Sequence, residues 1–285
     1  MKRKNLINFV KYAMYLMIGA SLVLSCNDND EDLEASAQSD FEQMARIQID
    51  AEMVSEGVSS LLEEIYVSED LSVAQKAEMS KTYMYPECVM ISSEMKGNLK
   101  TLVLDFGEGC SSFTGDQLKG KVISVFTYDL TTASINVKHT YENFYFNGYK
   151  VEGLTNVDRI RLNEFGNPEA VIKRDLKITN EDGYSVEAKG NHKREWIEGY
   201  ATRTFDDDAF MITGNWSITH PDGLTQTGNI IEPLRKEYAC QYVNKGIVEI
   251  QRKGKKLILD YGDGECDDLA TIEANGKLYE IKLRK

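Results

Sequence analysis

The chain has 285 residues and carries 46 acidic against 33 basic side chains, a formal net charge of −13 at pH 7. A strongly acidic surface repels nucleic acid and anionic lipid, because both carry dense negative charge. The composition therefore excludes nucleic acid as a partner, and it excludes attachment to a membrane through a basic surface.

The first 25 residues predict a cleaved signal peptide that ends at a lipid-modified cysteine. An apolar stretch over residues 12–25 follows a basic start and ends directly before Cys26. The basic side chains are Lys2, Arg3, Lys4 and Lys11. This pattern resembles a bacterial lipoprotein signal. The alternative is a membrane-spanning helix, which needs about 20 apolar residues and so a longer stretch than this one.

Lipidation of Cys26 predicts how the mature chain is held. Four of the 33 basic side chains lie in residues 1–25, so the mature chain carries 46 acidic against 29 basic groups, a net charge of −17. Membrane contact must then come from acyl chains of the palmitate type on Cys26, at about 0.8 kcal/mol for each buried methylene. Residues 26–38 form an acidic tether. Their composition resembles the surface-export signal of Bacteroidetes lipoproteins, which favours the outer face of the outer membrane over the periplasmic face.

Residues 39–82 are predicted to be helical. Ser39 or Asp40 can cap a first helix that runs to about Tyr66, and a short second helix is possible near residues 73–79. Apolar residues recur at steps of three and four: Phe41, Met44, Ile47, Val54, Val58, Leu61, Leu62 and Ile65. This spacing indicates an amphipathic helix that packs on the domain or links it to the tether.

Residues 83–285 are predicted to form an all-β domain. Apolar residues alternate with polar ones, and turn residues interrupt the pattern, notably Asn147-Gly148 and Asn275-Gly276, which favour tight hairpins. The runs between the turns suggest about ten to twelve strands of ordinary length. Since no long helical pattern separates them, we expect an antiparallel meander that forms a curled sheet or a sandwich, or closes on itself.

One sequence unit occurs twice, at residues 88–125 and 240–283. Leu102-Val103-Leu104-Asp105-Phe106-Gly107-Glu108-Gly109-Cys110 is similar to Leu257-Ile258-Leu259-Asp260-Tyr261-Gly262-Asp263-Gly264-Glu265-Cys266. A Gly-Lys pair follows ten positions after each cysteine, and a second cysteine lies 22 or 26 residues upstream. The duplication predicts two related hairpins.

Four cysteines other than Cys26 predict two disulfides in an exported chain. With Lys253-Gly254 as the turn, Cys240 and Cys266 fall almost opposite each other on an antiparallel pair, within disulfide reach. With Gly97-Asn98 as the other turn, Cys88 and Cys110 come close. We therefore expect Cys88 to pair with Cys110 and Cys240 with Cys266.

The repeated Leu-Asp-Phe/Tyr-Gly-x-Gly motif resembles that of a family of uncharacterised exported lipoproteins common in Bacteroidetes. Residues 194–199 and 206–214 and Pro233-Leu234 carry the same resemblance, which extends from Cys88 to the end of the chain. Met90 and the charged turn at residues 94–100 depart from the family pattern. The resemblance implies a β-rich protein of the cell envelope and implies no catalytic residue.

The sequence contains no recognisable catalytic or cofactor-binding motif. Gly-x-Ser-x-Gly, His-Glu-x-x-His, Cys-x-x-Cys and phosphate-loop patterns do not occur. His139, His192 and His220 are far apart and have no ligand spacing. The acidic loop at residues 260–268 lacks the spacing of a helix-loop-helix calcium site, and we expect its aspartates to bond nearby backbone amides. We expect no catalytic residue, metal or cofactor.

Aromatic residues are the remaining candidates for ligand contact. Tyr145, Tyr149, Trp196 and Trp216 could stack on a glycan or contact an envelope protein. The alternative, which we favour, is that alternate aromatic residues form the core and pair across strands, with Tyr145 and Tyr149 facing away from Phe146. The sequence thus predicts a non-enzymatic binding or structural module of the cell envelope. The alternatives are a glycan-processing hydrolase and a carrier of a hydrophobic ligand.

Overall fold

The computed structural model describes residues 28–69, 87–112, 115–129, 134–202 and 204–283, with side chains from Ser39 onward in the helix. The signal peptide, Cys26 and the possible second helix near residues 73–79 lie outside these ranges. The chain divides into two compact units, residues 1–40 and 41–285. All contacts discussed below lie within the second unit.

A single long helix, α1, spans Asp28–Glu69. Its predicted start near Ser39 is wrong, because residues 28–38 of the expected tether are already helical. The acidic residues at this end favour a helix start, since negative charge interacts well with the positive end of the helix dipole. From Phe41 onward, the predicted apolar stripe is buried against the sheet. Of the described residues, none belongs to a helix apolar and long enough to cross a bilayer.

The rest of the described chain forms one antiparallel sheet of fourteen strands. The strands are β1 Met90–Lys96, β2 Leu99–Asp105, β3 Cys110–Ser111, β4 Gln117–Asp129, β5 Ser134–Phe146, β6 Tyr149–Ile160, β7 Glu169–Thr179, β8 Ser185–Glu198, β9 Ala209–Thr219, β10 Thr225–Glu237, β11 Val243–Arg252, β12 Lys255–Asp263, β13 Leu269–Ala274 and β14 Lys277–Lys282. Each strand pairs with its sequence neighbours, except that β3 branches from β4. The predicted meander is confirmed, with more strands than expected.

The sheet is curled and remains open, so the predicted curled sheet is confirmed and the sandwich is not formed. Strands β1 and β14 lie at opposite ends of the described strand order. Alternate residues of β2 and β4–β9 are buried in a continuous apolar core together with α1 residues such as Val54, Val58 and Ile65. Each such side chain contributes about 1.5–3 kcal/mol when fully buried. The inner face of the sheet therefore packs on the helix.

Both predicted disulfides are present. Cys88 and Cys110 have Cα atoms 5.8 Å apart, and those of Cys240 and Cys266 are 5.7 Å apart. The predicted turn residues also form hairpins. Asn147, Lys253 and Asn275 have positive φ values of 48°, 51° and 52°. Local turn chemistry therefore sets the register of these hairpins.

The two copies of the repeat diverge after their second cysteine. Gly276 lies in the tight turn between β13 and β14, whereas Gly120 lies inside β4, where the register with β5 shifts. Gly120 has φ of 79°, and its backbone N–H donates to the carbonyl of Gly107 at 3.0 Å. The same Gly-Lys pair thus makes a hairpin in one copy and a bulge in the other.

We expect Gly120→Ala to lower the free energy of unfolding by about 2–4 kcal/mol. A Cβ atom would lie 1.9 Å from the carbonyl oxygen of Asn143, in addition to the strain of a positive φ. Gly254→Ala is the matched control, because Gly254 has φ of 75° and nothing within 4 Å of an added Cβ. Urea unfolding should show a loss of about 1 kcal/mol for the control. Equal losses of unfolding free energy in the two variants would contradict the close approach of Gly120 to the Asn143 carbonyl.

Candidate functional site

A cavity of about 490 Å³ lies between α1 and the sheet. Its helical wall includes Glu52, Glu56, Ser60 and Glu64. Residues four positions apart fall on one face of a helix, so these residues form a polar stripe along α1. Facing groups come from several segments: Asp116, Phe146, Asp206, Lys236, Tyr238, Tyr242 and Tyr261.

Glu52 forms one contact between the helical wall and the sheet. Its Oε2 accepts hydrogen bonds from the hydroxyl of Tyr261 and, at 3.3 Å, from Nε2 of Gln48. Burial raises the pKa of Glu52 to about 7, and the neighbouring charge of Glu56 adds to the increase. Glu52 as a residue is partly exposed, but its Oε1 is buried. This carboxyl group is therefore poised to gain or lose a proton near neutral pH.

Glu64, about three turns further along α1, also accepts a hydrogen bond from a tyrosine of the sheet side. Its Oε1 accepts a hydrogen bond of 2.6 Å from the hydroxyl of Tyr238. Burial, together with the charge of Asp116, raises the pKa of Glu64 to about 7. The separation of twelve positions between Glu52 and Glu64 corresponds to about 18 Å of helix. The cavity therefore holds two separate carboxyl groups, each bonded to a tyrosine.

We expect Glu52→Gln to gain stability relative to the native protein as the pH rises from 5 to 8. A carboxyl group whose folded pKa of about 7 exceeds its unfolded value of 4.5 stabilises the fold only while protonated. Its contribution is lost as the pH rises through the folded pKa, and glutamine has no such loss. The relative gain should approach roughly 2 kcal/mol in urea unfolding at pH 8. A difference that is constant with pH would contradict the raised pKa.

A third carboxyl group on the stripe, that of Glu56, is held by two buried arginines. Oε1 of Glu56 lies 3.1 Å from a guanidinium nitrogen of Arg174, and its Oε2 lies 3.0 Å from one of Arg194. Burial alone would raise the pKa of Glu56, but the charges of the two arginines outweigh burial and lower it. Arg159 and Glu63 form a further buried pair with two contacts of 2.8 Å. These pairs connect α1 to β6, β7 and β8.

The three histidines lie on the strands or at a turn and are all buried. His139 bonds to the hydroxyl of Ser124 across the β4–β5 pair at 2.8 Å, and burial lowers its pKa to about 3. His192 stacks on Trp216 with ring centroids 5.6 Å apart, and His220 bonds to Tyr184 at 2.7 Å. Within the described ranges, no group of three or more potential ligands could hold a metal ion.

The acidic loops have the local bonding that the sequence suggested. Oδ1 of Asp260 accepts the backbone N–H of Gly262 at 2.9 Å, and Oδ1 of Asp267 accepts that of Leu269 at 2.9 Å. Asp105 makes the same bond to Gly107 at 3.0 Å in the first repeat. These aspartates therefore fix the local backbone at the end of β2, near the end of β12 and just before β13.

The candidate ligand-contact aromatics do not form one exposed surface. Trp196 is 3% exposed and belongs to the core. Trp216 is partly buried, and its indole N–H donates to Oε1 of Gln48 on α1 at 2.6 Å. Tyr149 pairs directly with Phe146 across the hairpin and so shares its face, contrary to the prediction. Tyr145 alternates with Phe146 along β5 and faces the opposite side.

The amino-acid sequence alone could have indicated the cavity wall. Glu52, Glu56, Ser60 and Glu64 interrupt the apolar pattern of the helix at a constant spacing of four. These residues face a cavity because the sheet curls around the helix and leaves this stripe without apolar cover.

Comparison of the chain with protein-family models, curated proteins and solved structures finds no match. The architecture and the geometry of the cavity are therefore the basis for a functional assignment.

Proposed function

We propose that the protein is an exported lipoprotein whose β-rich domain is a non-enzymatic binding module for a small molecule. The observation that carries this proposal is the cavity of about 490 Å³ beside α1. Small-molecule sites typically have volumes of about 300–1,000 Å³ and combine apolar walls with a few converging polar groups. This cavity combines Phe146 and Leu61 with Glu52, Glu64 and Lys236.

The position of α1 argues for a polar rather than a purely hydrophobic ligand. The inner face of the sheet packs on the helix, so the apolar surface that a lipid carrier would need is already covered. The remaining space is lined by carboxyl, hydroxyl and amine groups as well as rings. An apolar ligand would leave those groups without hydrogen bonds, at a cost of about 1–3 kcal/mol for each buried one.

The proposed location follows from the amino-terminal sequence. Signal cleavage before Cys26 and acylation of that cysteine would anchor the protein in the outer membrane, with its acidic domain repelled from anionic lipid. Mass spectrometry of the amino-terminal peptide from the native cell tests this point. Acyl chains on Cys26 are expected, and an uncleaved, unmodified peptide would contradict the anchor.

Binding in the cavity can be tested with a cavity-filling variant. Ser60→Leu places a larger side chain in the cavity wall, while Thr227→Leu makes the same kind of change at an exposed position of β10. A library of small polar compounds would be screened by ligand-observed NMR. Compounds that bind the native protein and Thr227→Leu should lose binding to Ser60→Leu. Hits that bind all three proteins equally, or a library without hits, would contradict the proposal.

A glycan-processing hydrolase is the second candidate. Its support is Glu64, an acid with a pKa of about 7 that is close enough to Asp116 for that charge to raise its pKa. Glycoside cleavage uses one protonated and one ionised carboxyl group. Release of reducing sugar from a panel of glycans, abolished by Glu64→Gln, would support this function and refute the non-enzymatic one. If none of the glycans in the panel is cleaved, the hydrolase function is ruled out.

A further inference from the structure

We propose that the ligand of the cavity is an organic ammonium compound, held by carboxylates and aromatic rings. This inference rests on the proposed binding function and specifies the chemical class of the ligand. It is carried by the charge of the cavity wall, by its rings and by one buried oxygen atom of Glu52.

The cavity wall carries an excess of negative charge once Glu52 and Glu64 are ionised, above about pH 7. Glu52, Glu64, Asp116 and Asp206 line it together with one basic residue, Lys236. The charge of Glu56 is more than balanced by Arg174 and Arg194, which leaves this cluster with a net charge of +1. A cleft lined by one sign of charge with low-dielectric walls concentrates counter-ions of the opposite sign. The field in the cavity therefore favours a cation over an anion.

Lys236 offsets only part of this excess. Its ammonium group donates to the backbone carbonyls of Cys240 and, at 3.1 Å, of Glu237, and the residue is 8% exposed. Burial lowers the pKa of Lys236 to about 8, so part of its charge is lost just above neutral pH. The ammonium group of Lys236 therefore already donates hydrogen bonds to backbone carbonyls of its own chain.

Aromatic rings line the same space as the carboxyl groups. Phe146, Tyr238, Tyr242 and Tyr261 contribute to the cavity wall. A ligand ammonium within about 6 Å of a ring centroid gains about 0.5–2 kcal/mol, the larger value applying where water is excluded. Carboxylates combined with rings thus suit an ammonium group on an organic body better than a bare metal ion, which prefers oxygen ligands alone.

A buried acceptor in the wall has no hydrogen-bond donor among the described residues. Oε1 of Glu52 is buried and unbonded, whereas its Oε2 accepts from Tyr261. Leaving a buried acceptor without a donor is unfavourable, and more so for a charged group. An ammonium N–H would satisfy this oxygen and stabilise the ionised form of the carboxyl group. Binding should therefore strengthen as the pH rises from 6 to 8.

Pairs of charged and uncharged compounds of similar shape separate the effect of ligand charge on binding from the effect of ligand shape. Isothermal titration calorimetry of the full chain would compare a set of primary and quaternary ammonium compounds, including 2-phenylethylamine and choline, with their uncharged isosteres, 2-phenylethanol and 3,3-dimethylbutan-1-ol. We expect at least one ammonium compound to bind at least tenfold more tightly than its isostere. Glu52→Gln and Glu64→Gln should each weaken that binding about tenfold, while Glu142→Gln, at an exposed site, should not.

The outcomes distinguish this inference from the function on which it rests. Uncharged isosteres that bind as tightly as the ammonium compounds would overturn the inference and leave the binding function intact. Failure of both probe sets and of the NMR library would overturn both. If a glutamine variant does not fold, the comparison of isosteres on the native protein still decides the result.

Discussion

Replacing Glu56 with alanine is expected to lower the free energy of unfolding by about 3–5 kcal/mol. Arg174 and Arg194 are 8% and 4% exposed, and each contacts one oxygen of this carboxylate. Removing the carboxylate leaves two guanidinium groups buried close together without their counter-ion. Chemical denaturation followed by circular dichroism gives the free-energy change directly.

Two controls locate the cause of that loss. Glu108→Ala removes a carboxylate that contacts Lys119 at 2.7 Å but is 95% exposed, so it should change stability by at most about 1 kcal/mol. A triple variant with Glu56→Leu, Arg174→Met and Arg194→Met removes all three charges together. It should recover much of the stability, because a well-packed apolar replacement avoids the cost of burying ions. A loss below about 1 kcal/mol for Glu56→Ala would contradict the buried charge cluster.

Removal of the Cys240–Cys266 disulfide is expected to cost about 3–4 kcal/mol. The bond closes a loop with a sequence separation of 26 residues, and opening it gives the unfolded chain more conformations. Cys240 is 1% exposed, so alanine at both positions keeps the site apolar. The Cys88–Cys110 pair, with a separation of 22, should cost a similar amount when it is replaced in the same way.

Urea unfolding with and without reductant distinguishes the effect of losing the disulfide bond from the effect of replacing the cysteine side chains with alanine. Reductant should destabilise the native protein by the combined amount, and it should destabilise each double variant only by the bond that remains. Unchanged unfolding of the native protein in reductant would show that neither bond contributes.

The elements that could be predicted from the sequence are those that depend on neighbouring residues. Asn147-Gly148 forms a tight turn because asparagine and glycine adopt positive φ at little cost, and in Lys253-Gly254 the glycine permits the same kind of turn. Once those turns are fixed, the hairpin register follows and brings Cys240 opposite Cys266. Alternation of apolar and polar residues then indicates which residues of a strand are buried.

The features that were missed depend on contacts between distant segments. Nothing local to residues 39–66 reveals that the sheet curls around this helix, so the sequence does not show that the spacing of Glu52, Glu56 and Glu64 marks the wall of a cavity. The bonds from Glu56 to Arg174 and Arg194 join positions 118 and 138 residues apart. The position of Tyr149 was misjudged for a simpler reason. In a two-residue hairpin the flanking residues pair directly, so Tyr149 shares the face of Phe146.

Native mass spectrometry of the full chain isolated from its own cells tests the cavity most directly. The native protein and Thr227→Leu should each carry an additional small-molecule mass, and collisional activation should release it as a positively charged ion. Ser60→Leu, with its cavity filled, should have the mass of the polypeptide and its anchor alone. Retention of the same bound mass by Ser60→Leu, or no bound mass in the native protein, would contradict a ligand site between the helix and the sheet.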